Sequence, residues 1–306
     1  MRRVRAVLIL GSVIAALVAV PAFTSPAAAS TGTTKTVSYG PFTVAAGSMD
    51  MPTMYDTLRL GVSRPCVSCY LTSMQARLRY PDGTTANYDT GIMLHHVMLS
   101  SQWRQDVTCS GTALGLVGER FFASGNERTR IGFPLGYGYR LRWYDSWNLL
   151  VSLMNMMPTS QTVYVDVSFS YQPDWSGLRT VKPVWLDIDE CGDSEYSIPA
   201  GPSDTAWHWK STLAGRVVSA AGHVHDYGVH LSATDTTTGK LICDSVAGYG
   251  TDPAYMGHIE SMSTCIGTTL PRLHTGDDVV LRSYYNSPVA KSDVMGIMLI
   301  YVHLSG

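Results

Sequence analysis

The sequence predicts an all-β protein built from antiparallel sandwiches. Three observations predict it. Runs such as "TVYVDVSFSY" alternate in polarity and are rich in β-branched and aromatic residues. Turn residues interrupt these runs at short intervals. No long stretch carries the 3.6-residue apolar period of a helix. Many short strands with polar turns are the pattern of sheet-on-sheet packing.

Taken in chain order, "MRRVR" is a basic start, "AVLILGSVIAALVAV" an apolar core, and "PAFTSPAAAS" a small-residue end. That is the pattern of a secretory signal peptide over 1–29, cleaved near Ala29, and it predicts an extracellular protein. "STGTTKT" then reads as a loose mature start. "MQARLRYPDGTTANY" holds a Pro-Asp-Gly turn between strand-like runs, and "TVYVDVSFSY" follows. In "QPDWSGLRTVKP", Pro173, Gly177 and Pro183 break the strand pattern, which marks a linker. The expected domains are 30–175 and 182–306. In the second, "RVVSAAG", "HVHDYGVHLSATD", "KLICDSVA", "DVVLRSYYN" and "VMGIMLIYVHL" read as strands, with turns at "TTTGK" and "HTGDD".

Composition narrows the function. The formal net charge is −2, and loss of Arg2, Arg3 and Arg5 with the signal makes the mature chain more acidic. Nucleic acid and anionic membrane are therefore not expected partners. No segment after the signal is long and apolar enough to span a bilayer. Cys66, Cys69, Cys109, Cys191, Cys243 and Cys265 form an even set, which in an exported chain reads as disulfides. Cys66-x-x-Cys69 has no second such pair to complete a zinc site. Keeping each bridge inside one domain pairs Cys109 with Cys66 or Cys69, and Cys243 with Cys265.

The histidines carry the chemistry. His223 and His225 are two apart, so on a strand both project from one face and can chelate one ion. His230 would face the other way unless Gly228 bulges the strand. His95 and His96 are adjacent, and point to opposite faces unless a bulge or strand end intervenes. One core and one surface histidine would also explain that pair. Met93, Met98, Met154, Met156, Met157, Met295 and Met298 lie near these motifs. Most read as core filler, but soft thioether with imidazole suits copper, above all Cu(I). No carboxylate cluster points to calcium or magnesium. His208, His258, His274 and His303 read as structural or surface residues, and Asp187, Asp189 and Glu190 as a solvated turn.

The order of these motifs resembles the copper type II, ascorbate-dependent monooxygenases, the family of peptidylglycine α-hydroxylating and dopamine β-monooxygenases. "LHHVMLSSQW", "GERFFASGNERTRIGFPLGYGYRLRW", "GHVHDYGVHLSA", "GDDVVLRSYYNSP" and "SDVMGIMLIYV" resemble its segments in the right order, over roughly residues 60 to 302. The resemblance implies two tandem antiparallel jelly-roll β-sandwich domains facing across a solvent-filled cleft, with one copper in each. It implies an oxygen-activating site of His223, His225 and Met295, and an electron-transfer site containing His95 and His96. The family's third histidine at that second site has no counterpart here, because "WYDSWNLLVSLMNMMPTSQTVYVDV" contains none. Met154 lies where it could substitute.

Two readings follow. One is a secreted copper monooxygenase that hydroxylates a C–H bond of a small molecule or peptide, with one or two coppers and an external reductant such as ascorbate. The other is a secreted, non-catalytic protein that binds copper, glycans or a partner. A third, in which the His motifs are ordinary β residues and Met295 core filler, leaves the ordered matches unexplained. No G-x-S-x-G or H-E-x-x-H motif offers another chemistry.

Overall fold

The computed structural model describes residues 32–110 and 118–305, and the chain over them is all-β. The expected signal peptide lies outside the described residues. Among these, no helix is long and apolar enough to cross a membrane.

Four main sheets form. In the first, Thr33–Val44, Gln161–Pro173, Cys69–Arg79, Tyr137–Leu141 and Arg179–Thr180 lie side by side in that order. The second runs Thr53–Val62, Trp147–Asn155, Ile92–Ser101, Glu119–Ser124. The third runs Lys182–Asp187, Gly296–Leu304, Gly215–Val224, Thr264–Ile266, and the fourth Gly201–Lys210, Asp278–Ser287, Gly228–Asp235, Lys240–Tyr249, Ile259–Met262. The chain crosses repeatedly between the first and second sheets. Their inner faces meet in one core, to which Val165, Phe169, Leu71, Val97, Leu149 and Trp147 contribute.

The third sheet serves two cores, which two self-contained jelly-roll sandwiches would not require of it. It is buried on both faces. Val184, Leu186, Met298, Ile300 and Val302 point into the core shared with the fourth sheet. The residues between them, Trp185, Ile297, Leu299 and Tyr301, point the other way and join the core of the first two sheets. This explains the unbroken apolar run "MGIMLIYV": a strand covered twice has no solvent face on which to alternate. The edge strand Gly201–Lys210, open on one side, alternates between half-buried and exposed residues over most of its length.

Polar contacts fasten the same seam. The Tyr301 hydroxyl donates to the Phe121 carbonyl at 2.8 Å, satisfying an edge strand of the second sheet. Arg120 pairs with Asp106 at 2.9 Å, both side chains buried, and its guanidinium lies over the Trp185 ring. Thr108 donates to the Trp185 carbonyl at 2.7 Å.

This seam also corrects the expected disulfides. Cys109 pairs with Cys191, not with Cys66 or Cys69, which pair with each other; Cys243 pairs with Cys265 as expected. Confining bridges to one half fails because the loop carrying Cys109 lies against the end of the third sheet.

Two measurements check this architecture. Peptide mapping without reductant should recover the Cys109–Cys191 bridge, and a Cys109 link to Cys66 or Cys69 would refute it. Tyr301→Phe strands the Phe121 carbonyl in a dry core. It should lower unfolding free energy by about 1–3 kcal/mol in denaturant titration.

Candidate metal centre

The His-x-His motif lies at the end of Gly215–Val224, a central strand of the third sheet. His223 is in register with Ile297, so it faces the first core, and His225 follows on the same side just beyond the strand. The chain then turns. Gly228 N–H donates to the His225 carbonyl at 3.0 Å, with Tyr227 at φ 73°. His230 resumes in the fourth sheet, held by Asp244 at 2.5 Å and stacked on Tyr284. Its exclusion from the chelate is thus set by a turn and a change of sheet.

The vicinal pair is explained by a β-bulge. In Ile92–Ser101, Leu94 pairs with Leu153 and His96 with Ser152, so His95 is an extra residue in the strand. A bulge lets two consecutive side chains leave on one side. Leu94 and Val97 stay in the core while both imidazoles are half-buried outside it.

The four imidazoles meet. His96 Nε2 lies 3.1 Å from His225 Nε2. The His95 and His96 rings are 3.9 Å apart, His95 and His225 5.2 Å, and His96 and His223 5.1 Å. Ligand atoms of His95, His96 and His225 all fall within 4.8 Å of one another, the spacing of a set that can hold one ion. The resemblance implies two coppers separated by solvent. In this chain the His-His and His-x-His motifs converge on a single cluster.

Three of the rings are held from behind. His223 Nδ1 meets Glu127 Oε1 at 3.1 Å, His225 Nδ1 the Asp293 carbonyl at 2.5 Å, and His95 Nδ1 the Ser152 hydroxyl at 3.1 Å. The Glu127 carboxylate and the Asp293 carbonyl can only accept, so they favour Nδ1–H on His223 and His225, the tautomer that leaves Nε2 free to bind a metal. His223 Nε2 is buried and has no hydrogen-bond partner. An orphaned imidazole nitrogen among three others fits a metal ion with nitrogen ligands, and copper is such an ion.

Electrostatics agree. Burial first, then mutual repulsion among the rings, lowers His95 to about 3 and His225 to about 4, and holds His96 well below the usual histidine value. These rings are neutral at pH 7, so no proton must be displaced before a metal binds. Burial alone would raise the Glu127 pKa, but His223 and backbone N–H groups outweigh it and the carboxyl stays ionised.

The expected methionines divide. Met154 lines a cavity of about 240 Å³ together with His95, His223 and His225. Met295 is buried in the first core, immediately before the strand paired with Gly215–Val224, and does not line that cavity. Tyr285 joins the two segments: its hydroxyl accepts from the His225 N–H at 2.8 Å and donates to the Met295 carbonyl at 2.6 Å. His258, read as a bland residue, also lines the cavity, paired with Asp226 at 2.5 Å and packed on Tyr88. His208, His274 and His303 have partners elsewhere.

Glu127 and Gly125 lie in the segment "GERFFASGNERTRIGFPLGYGYRLRW" but have no chelating or catalytic spacing of their own to single them out. A Cβ on Gly125 would sit 2.7 Å from the His95 carbonyl and 3.0 Å from the His223 ring, so only glycine lets this backbone pass between them.

Residues 139–304 match the family model described as Stress up-regulated Nod 19, SURNod19. The chain is 30% identical over 289 residues to a protein of Phoma sp. named probable copper-dependent oxygenase M1, covering 87% of this chain and 71% of that one. It is 29% identical over 255 residues to probable copper-dependent oxygenase clz3 of Cochliobolus lunatus, covering 75% and 78% respectively.

Two outcomes test the geometry. Glu127→Gln keeps the shape but removes the charge behind His223, and should weaken copper affinity by about 10–100-fold in a competition titration. The metal-free protein should lose stability in acid. Below about pH 6.5 the unfolded chain takes up protons that the folded His95, His96 and His225 refuse, so the folded state loses ground until roughly pH 3–4. Melting temperatures between pH 7.5 and 4.5 should fall less steeply for His96→Gln than for the native chain.

Proposed function

This chain belongs to the SURNod19-containing family of copper oxygenase-like proteins, and from that premise we propose that it is a secreted copper-dependent monooxygenase whose metal is held by the converged histidines. The observation that carries the reading is the four-imidazole cluster, with three Nδ1 atoms fixed from outside and an orphaned Nε2 on His223. His95, His96 and His225 are the proposed ligands, with His223 completing or supporting the set. Met154 and Met295 are the proposed soft ligands, for a second position and for the cuprous state respectively.

Copper bound there would supply oxygen activation for insertion of one oxygen atom into a C–H bond, the chemistry that the ascorbate-dependent monooxygenases perform. The protein's part is positional. Glu127, Ser152 and the Asp293 carbonyl hold the rings in one tautomer and orientation. The surrounding cores limit water around the cluster. Tyr285 couples the placement of His225 to that of Met295.

The cavity is where a substrate would lie. It offers thioethers at Met93, Met154 and Met156, the Tyr88 ring, and polar groups at Asn126, Lys291 and Asp293. At about 240 Å³ it falls below the roughly 300–1,000 Å³ of drug-sized ligand sites. It suits a small molecule, or one end of a longer one such as a peptide. An external reductant such as ascorbate would supply electrons. Three disulfides agree with an oxidising, extracellular setting.

The alternative is a non-catalytic copper-binding protein. It differs in one measurable way: it holds copper but consumes no oxygen with reductant and substrate.

The test is copper content after anaerobic Cu(I) loading and desalting. The native chain should retain copper, and His96→Ala and His225→Ala should lose it in either oxidation state. Met295→Ile, close in volume, should keep much of the Cu(II) but bind Cu(I) more weakly, because thioether is the softer ligand. Full copper content in both histidine variants would remove the proposal.

A further inference from the structure

Methionines form a row beside the histidine cluster. In the second sheet Met54 is in register with Met154, and Met154 with Met93, so the three lie abreast on adjacent strands. In-register neighbours share a face with Cβ atoms about 4.5–5.5 Å apart. The next residues along two of these strands, Leu153 and Leu94, turn into the core, which leaves the sulfur row on the outer face. The row begins in solvent, where Met54 is 41% exposed. It ends in the cavity, which Met154 and Met93 line together with His95, two residues beyond Met93. Met49, 59% exposed, lines the same cavity from the preceding loop, and Met156 lines it from the buried side.

A core needs no sulfur at its solvent end, and leucine would fill these positions with equal volume. What thioether adds is a neutral, soft, easily exchanged ligand that favours Cu(I) over Cu(II) and Zn(II). We propose that Met49, Met54, Met154 and Met93 form a Cu(I) uptake track, which takes the cuprous ion at the surface and passes it to His95 and the imidazole cluster. The inference rests on the copper reading above. Each step is ligand exchange: one thioether replaces another, and imidazole nitrogen replaces the last. No electron moves, and each thioether leaves as the same neutral group that it was before binding.

The experiment follows anaerobic transfer of Cu(I) from a coloured chelator to the metal-free full chain, with Cu(II) uptake in parallel. The triple variant Met49→Leu, Met54→Leu, Met93→Leu should take up Cu(I) about an order of magnitude more slowly than the native chain and reach the same final copper content. Its Cu(II) uptake should be unchanged. Met54→Leu alone, an exposed substitution that leaves the core intact, should slow Cu(I) transfer by a smaller factor. Native Cu(I) rates in both variants overturn the track while leaving the copper centre standing. Equal slowing of Cu(I) and Cu(II) overturns it too, because the row would then govern access and not metal selection. If the native chain takes up neither ion, the copper reading itself falls.

Discussion

A sheet with apolar residues on both faces must be covered twice, and the third sheet imposes that requirement on the whole chain. One face is met by the fourth sheet. The other needs a second partner, and the core of the first two sheets supplies it through Trp185, Ile297, Leu299 and Tyr301. The Arg120–Asp106 pair, the Tyr301 hydroxyl and the Cys109–Cys191 bridge all lie on that contact. So does the histidine cluster, because His223 shares a sheet face with Ile297. Burial of hydrocarbon thus sets the distance between imidazoles from opposite halves of the sequence.

Four imidazoles brought this close would repel one another if all were protonated, and only His223 has a carboxylate, that of Glu127, against it. Burial first, and then the neighbouring rings, hold His95, His96 and His225 below the usual histidine range, while His223 Nε2 is left without a hydrogen-bond partner. Outer partners resolve which nitrogen is short. Glu127, Ser152 and the Asp293 carbonyl occupy Nδ1 of three rings, and the one buried ring nitrogen left unmet is Nε2 of His223. A cation there answers both problems at once.

Much of this was legible in the sequence. Alternation and turn residues marked the β class, and the His-x-His spacing put both imidazoles on one side of the strand, because both depend on local geometry alone. The convergence of the two histidine motifs was not legible. It depends on which side of the "MGIMLIYV" strand meets which core, and a strand apolar on both faces carries no mark of that choice. The bulge at His95 was foreseeable only as a condition for the vicinal pair to act together. Glu127 was invisible because an acidic residue in a turn-rich segment looks solvated until its burial is known. The Cys109 pairing was not legible either, because it joins parts of the chain that the in-domain rule kept apart.

The contact between His96 and His225 joins residues 129 positions apart. Such a contact carries a large loop-closure entropy and forms only once both sheets are in place. The order of events in the life of the chain follows. A newly made chain, still extended, has only isolated histidine pairs to offer a metal, and these compete poorly with other chelators. The complete ligand set arises with the last stage of folding. A metal held by this cluster would therefore be selected where the chain folds and not where it is made.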